Sequence, residues 1–432
     1  MSERLGWRRR LLFTVTLAGV AVLSSEIPLQ LYYRLSVGDW LFRRTLPPIY
    51  EADPVRCYRV KANLDYVHHT NEFAIHLYTN AQSFRTDARR APVAYAKPAD
   101  VYRVLFLGPS FTFGWGSDFE ETYAARIARG LRVPGKRVEL LNAGTPSQPV
   151  EPQLCWLERE GYRYQPDLVV QTSYGEGVVR MPEGCPESLA CPLVEDSLLY
   201  SEAPSWRQRA IAAVKSTGIG FYGYYLYHAV TEGARNPGVG TGKELYPDAG
   251  KDGDLPALVQ SYQGFVDFVH SRVGEDTQVA FLHIPFSFMV HEGDRSRWKH
   301  ILDIDPVRAR AITRAGIAAL QKRGITIVDT LDRLIERAER ERQFFWLDIH
   351  LTPAGNLTVT DEVLPVLQDR VLGKRSAQRA AGVRSSLGQA ERAASRRRAK
   401  LTRAGRPLRG VASGGGRRPL KAQPASSRWK PG

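Results

Sequence analysis

The sequence predicts an α/β domain with a parallel sheet, preceded by one membrane-spanning helix and followed by a disordered basic tail. Three observations predict it. Short apolar runs of strand length alternate with helix-patterned segments between about residues 100 and 370. An apolar run of 23 residues follows a cluster of arginines at the N-terminus. From Lys374 onward the chain holds 17 Lys+Arg against a single acid, Glu391.

That last count relocates the charge. The 432 residues carry a formal net charge of +15. Outside the tail, 43 basic and 44 acidic residues nearly cancel. The body is therefore close to neutral, and the overall charge gives no ground for reading it as a nucleic-acid binder. At 43% hydrophobic residues it can build a sizeable core. Ordinary composition excludes a collagen, a coiled coil and a wholly disordered chain.

The elements follow in order. Residues 1–10 contain Arg4, Arg8, Arg9 and Arg10, and residues 11–25 hold no charge. The apolar run continues past Glu26 to residue 33. Basic residues before such a run predict a signal-anchor over 11–33, with 1–10 cytoplasmic and a periplasmic body. A cleaved signal peptide and a buried helix are the rival readings; no A-x-A site precedes Glu26, which favours the anchor. Residues 34–99 form a lead-in, polar and rich in Tyr and His, whose alternation around Phe73, Ile75 and Leu77 suggests short strands. Within it, 89–100 reads as a linker.

The main domain is placed at 100–372. Residues 104–107, 138–141, 168–170, 279–284 and 325–328 are its strands; 123–131, 153–160, 310–322 and the segment after Pro353 are its helices. An insertion covers about 180–254, and its aromatic stretch at 221–227 is read as packing. Four cysteines without a C-x-x-C pair argue against a structural zinc site. Cys185 and Cys191 bracket a short loop that one disulfide could close; two unrelated thiols are the equal alternative.

Sites in parallel sheets form beyond the carboxyl ends of the strands, and three strand ends carry suggestive residues. GPSFTFGWG puts Ser110 directly after an apolar strand, at a turn into a helix, where a hydroxyl is exposed near helix N–H groups. Asn142-Ala143-Gly144 follows the second strand, and a glycine there permits close backbone approach. LDIHLTPAG places Asp348 and His350 before a Pro-started helix, a spacing that lets a carboxylate orient an imidazole. Each signal alone is also ordinary turn, cap or buried-histidine chemistry.

Together, in this order, these blocks resemble the SGNH (GDSL-type) hydrolase and acyltransferase superfamily over about residues 100–370, in a membrane-anchored form. The resemblance implies a flavodoxin-like three-layer α/β/α fold that cleaves or transfers acyl esters with no cofactor and no metal. It implies Ser110 as nucleophile, His350 as general base and Asp348 as its orienting partner. It implies the N–H groups of Ser110 and Gly144 as oxyanion donors. Two positions depart from the pattern. The Asp expected before the nucleophile is Pro109, and the Asn-Asp expected after the third strand is Gly175-Glu176. Glycine has no side-chain donor and ionised glutamate only accepts. Ser173, Tyr174, Gln148 and Gln171 are the candidate replacements.

The expected function is an extracytoplasmic serine esterase at the cell inner membrane, single-pass, acting on an acylated small molecule or glycan. Transfer of the acyl group to an envelope polysaccharide (an O-acyltransferase) and a catalytically degenerate SGNH-like binding protein are the alternatives. The tail, 373–432, is expected to be disordered and to meet anionic lipid or acidic glycan, with no nucleic acid expected.

Overall fold

The computed structural model describes residues 2–44, 49–175, 180–182, 184–186, 206–231, 255–294 and 305–371. All lie within one compact unit, Met1–Lys374. The expectations for the tail at 373–432, for Glu176, for Cys191 and for much of the 180–254 insertion fall outside these residues.

The basic start and the apolar run form one helix, α1 (Ser2–Val37), and its Gly6–Val37 portion is long and apolar enough to cross a membrane. The lead-in folds as expected into short antiparallel strands. β1 (Tyr50–Asp53) pairs with β2 (Cys57–Val60). β3 (Asp65–His69), β4 (Ala74–Thr79) and β5 (Arg85–Thr86) form a three-stranded sheet. Burial alternates strictly along β4, the signature of a half-covered sheet.

The main domain runs β6 (Val101–Leu107), α2 (Ser110–Phe113), α3 (Tyr123–Gly130), β7 (Arg137–Asn142), α4 (Val150–Arg159) and β8 (Leu168–Gly175). Two helices of the insertion follow, α5 (Trp206–Lys215) and α6 (Gly218–Thr231), then α7 (Leu255–Arg272) and β9 (Gln278–Pro285). It closes with α8 (Ser287–Val290), α9 (Pro306–Lys322), β10 (Ile327–Asp329), α10 (Leu331–Ala338) and α11 (Pro353–Val371). The five strands are parallel in the order β10-β9-β8-β6-β7, which is the flavodoxin-type order. Every residue of β6 is buried, as a central strand covered on both faces requires.

Helices cover both faces. On one, Tyr123, Ile127, Met289, Leu334, Val359 and Val363 pack against Val104, Phe106 and Val170. On the other, Leu154, Trp156, Tyr262, Phe265, Ile317 and Leu320 pack against Leu105, Val169 and Phe281. Helix starts are capped as their residues dictate: Asp305 accepts Val307 N–H ahead of Pro306, and Thr122 accepts Ala125 N–H. The acid inside the apolar run also has a purpose, since Glu26 accepts the N–H groups of Gly218 and Ile219 at the start of α6.

The cysteine pairing differs from the sequence reading, and the structure adds detail to the lead-in. Cys185 is disulfide-bonded to Cys155 on α4, not to Cys191, because the fold brings their Cα atoms to 4.5 Å across a separation of 30 residues. Cys57 is disulfide-bonded as well. The lead-in packs on the main domain: Tyr58, Tyr66, Phe73, Ile75 and Leu77 share a core with Phe113 of α2, Trp115 and Phe345. The 89–100 segment is pinned by buried Arg103, which donates to the carbonyls of Ala94 and Tyr95 and pairs with Glu139 at 2.6 Å.

Candidate active site

Strand β6 is flanked by β8 on one side and β7 on the other, so its carboxyl end is where the strand order reverses. Gly108 turns the chain there at φ 155°, and a Cβ at that position would lie 2.1 Å from Thr112 Oγ1. Pro109 then caps α2 with its carbonyl, which accepts the N–H groups of Thr112 and Phe113 at 3.0 and 3.1 Å. Proline in place of the Asp expected from the resemblance therefore leaves the turn closed, and Ser110 becomes the first residue of α2.

Asp348 and His350 sit in a loop between α10 and α11. Its stem is held by a bridge between Phe344 and Leu351 and by Thr352 N–H on Gln343 carbonyl at 3.0 Å. Asp348 Oδ1 accepts His350 N–H at 2.9 Å and also meets His350 Nδ1. With His350 Nδ1–H donating to Asp348, His350 Nε2 is left to accept the Ser110 hydroxyl, and the two atoms are 2.6 Å apart. Burial would raise the Asp348 carboxyl, but the charge and hydrogen bonds of His350 hold it below the usual carboxylate range. The three residues singled out from sequence as a triad are thus brought together.

The surroundings are aromatic. The Phe111 ring lies 4.9 Å from the His350 ring and 4.3 Å from Tyr174, which in turn packs edge-on to Phe286. The lead-in sheet closes the other side. His68 on β3 packs tilted against Trp115 at 4.5 Å, and burial, helped by Arg44, pushes its imidazole down to about 3. It is neutral at neutral pH. Glu72, on the β3–β4 turn, accepts the backbone N–H groups of Trp346, Leu347 and Asp348. Burial raises its carboxyl, against the pull of those three bonds.

The oxyanion donors divide. Among the described residues the Ser110 N–H donates to no group, so it is available beside the hydroxyl. The Gly144 N–H donates to Asn142 Oδ1 at 3.1 Å, and Asn142 Nδ2 donates to Thr112 carbonyl. Gly144 also permits close packing, since a Cβ there would lie 2.4 Å from Phe113 N. Of the candidate third donors, Gln148 Nε2 is spent on the carbonyls of Arg56 and Tyr58. Gln171 Nε2 binds Gln153 and Thr172 carbonyl, and Ser173 Oγ donates to Leu282 carbonyl. Tyr174 is the one of the four packed on the site's side of the sheet, through Phe111. Among the described residues no group of three or more His, Cys, Asp or Glu could hold a metal ion.

His68 and Glu72 were not legible as site residues. The lead-in reads only as alternating strands, and no local pattern says which edge of the domain they cover.

No family model and no curated protein matches the chain. It is similar to solved structures at low identity. An acetylxylan esterase from Geobacillus stearothermophilus is 14% identical, with 64% of this chain and 97% of that one covered and a TM-score of 0.34. An α/β hydrolase enzyme from the metagenome of Lake Arreo, Spain, is 14% identical, with 63% and 96% covered and a TM-score of 0.32. A member of the lipolytic G-D-S-L family from Veillonella parvula is 10% identical, with 61% and 97% covered and a TM-score of 0.30. At these values the functional reading rests on the geometry of the site itself.

Proposed function

We propose that the chain is a membrane-anchored serine esterase of the SGNH type whose body is extracytoplasmic. The observation that carries the reading is the Ser110–His350–Asp348 alignment, with Ser110 Oγ 2.6 Å from His350 Nε2. His350 takes the hydroxyl proton as Ser110 Oγ attacks the ester carbonyl, and Asp348 stabilises the imidazolium that forms. The tetrahedral oxyanion develops beside the Ser110 N–H at the start of α2. His350 then protonates the departing alcohol, leaving Ser110 acylated. Water, deprotonated by the same imidazole, releases the carboxylic acid and restores the serine. The aromatic walls at Phe111, Tyr174 and Trp115 suit an uncharged acyl or glycan surface.

The test is a fluorophosphonate probe on the purified full chain in detergent. Labelling of the wild type that is abolished in Ser110→Ala supports the reading; no label on the wild type, or label surviving the substitution, overturns it. Transfer to an envelope polysaccharide would follow the same acyl-enzyme, and release of free acid versus an acylated acceptor distinguishes the outcomes. A reporter fused at Gly373 tests the placement of the body and is expected to be active only in its extracytoplasmic form.

A further inference from the structure

The loop tip at 346–348 has no regular secondary structure, and the side chains of Trp346 and Leu347 are exposed. Arg342 covers the Trp346 ring at 3.7 Å. A carboxylate reaches the tip's backbone. Glu72 Oε1 takes Trp346 N–H at 2.5 Å, and Oε2 takes Leu347 and Asp348 N–H at 2.6 and 2.9 Å. These are charge-assisted bonds, about twice as strong as neutral ones. The turn that carries Glu72 is itself fixed. Thr70 Oγ1 accepts the N–H groups of Glu72 and Phe73, and Tyr33 at the end of α1 donates to the carbonyls of Thr70 and Phe73. Next door, the rings of Phe73 and Phe345 pack at 4.7 Å.

We propose that Glu72 is a positioning residue for the triad. Its carboxylate sets where the 346–348 backbone holds Asp348, and through Asp348 sets the reach of His350 to Ser110. The contact path is continuous: Glu72 to Asp348 N–H, Asp348 Oδ1 to His350 Nδ1, His350 Nε2 to Ser110 Oγ. The lead-in, tied to the end of α1, is on this account part of the catalytic apparatus. The inference rests on the triad reading above.

The experiment compares fluorophosphonate labelling rates of full-length wild type, Ser110→Ala, Glu72→Gln and Glu72→Asp. Glutamine turns one acceptor oxygen into an amide donor facing backbone N–H groups. A misplacement near 1 Å costs about a hundredfold, so Glu72→Gln is expected to label roughly 10- to 100-fold more slowly, with Glu72→Asp between it and wild type. The pH profile separates positioning from general destabilisation. Neutral His68 and Glu72 are the titratable groups that the lead-in packs against the Asp348–His350 pair. An imidazolium that loses its carboxylate partner is less favoured, so the acid limb of the labelling rate should move to lower pH in Glu72→Gln. Glu72→Gln labelling at the wild-type rate with an unmoved limb overturns the proposal. If Glu72→Gln does not fold, Glu72→Asp decides by the same two readouts. Wild type that fails to label, or Ser110→Ala that labels, overturns the triad reading instead.

Discussion

Ser110 and His350 stand 240 positions apart in the chain and 2.6 Å apart in space. One is the first residue of a helix following the central strand, the other the last turn before the C-terminal helix. Asn356 on α11 accepts Tyr123 N–H at 3.0 Å, so the helix behind His350 is bonded to the helix that follows the nucleophile segment. The pair is held by the sheet and its helices together.

Asp348→Asn should reduce ester hydrolysis by on the order of 10³ to 10⁴, the scale set by removing the orienting carboxylate from a serine triad. An amide at 348 can donate to Nδ1, which favours the tautomer carrying its proton on Nε2 and removes the base. Hydrolysis of p-nitrophenyl acetate by the purified variant checks this; a loss under tenfold would show that Asp348 does not orient His350.

Gly144→Ala should cost activity through Ser110. The added Cβ would lie 2.4 Å from Phe113 N and 2.8 Å from Thr112 C, both backbone atoms of the helix that Ser110 starts. That helix must shift, and the rate should fall about a hundredfold. Gly223→Ala, inside α6 where a Cβ meets nothing within 4 Å, is the control and should leave the rate unchanged without lowering Tm. Equal rates in the two variants would mean that α2 tolerates the displacement.

The sheet was legible because β6, β7, β8, β9 and β10 are apolar runs separated by helix-patterned segments. The triad was legible because its members lie in short local blocks at strand ends, where turn chemistry limits which residues fit. Glu72 was not, because its partners are 274 to 276 positions away and an acid in a turn looks like any solvated one. The bond from Gly144 N–H to the Asn142 side chain was hidden for a related reason: the block was visible, but the contact is fixed only by the folded turn. The pairing of Cys155 with Cys185 likewise depends on where α4 lies against the start of the insertion.

That disulfide closes a loop of 30 residues around β8. In the chain-entropy account such a closure contributes about 3 to 4 kcal/mol. Cys155→Ser with Cys185→Ser should therefore lower Tm by roughly 5 °C in a unit of this size. The double variant is cleaner than a reductant, which would also open the bond at Cys57. An unchanged Tm in calorimetry would show that the bridge does not constrain the fold.

The fold should be acid-labile through a buried histidine outside the site. His283 on β9 is fully buried, its Nε2 has no partner among the described residues, and Ser173 Oγ lies 3.5 Å from Nδ1. Burial pushes the imidazole down to about 4 from its ordinary 6.5. Above pH 6.5 the group is neutral folded and unfolded. Between 6.5 and about 4 the unfolded chain takes up a proton that the folded chain refuses, so stability falls as pH drops. Below about 4 both forms are protonated and the loss levels off. One pKa unit is about 1.4 kcal/mol, so this histidine accounts for on the order of 2 to 3 kcal/mol between pH 7.5 and 4.5. His68, pushed down to about 3, adds a loss of the same sign over a wider window. Denaturant unfolding of wild type and His283→Asn at both pH values isolates the term, because any baseline cost of the substitution cancels in the difference. The variant should lose less stability on acidification by that amount; equal losses in the two proteins would mean that His283 binds its proton as readily folded as unfolded.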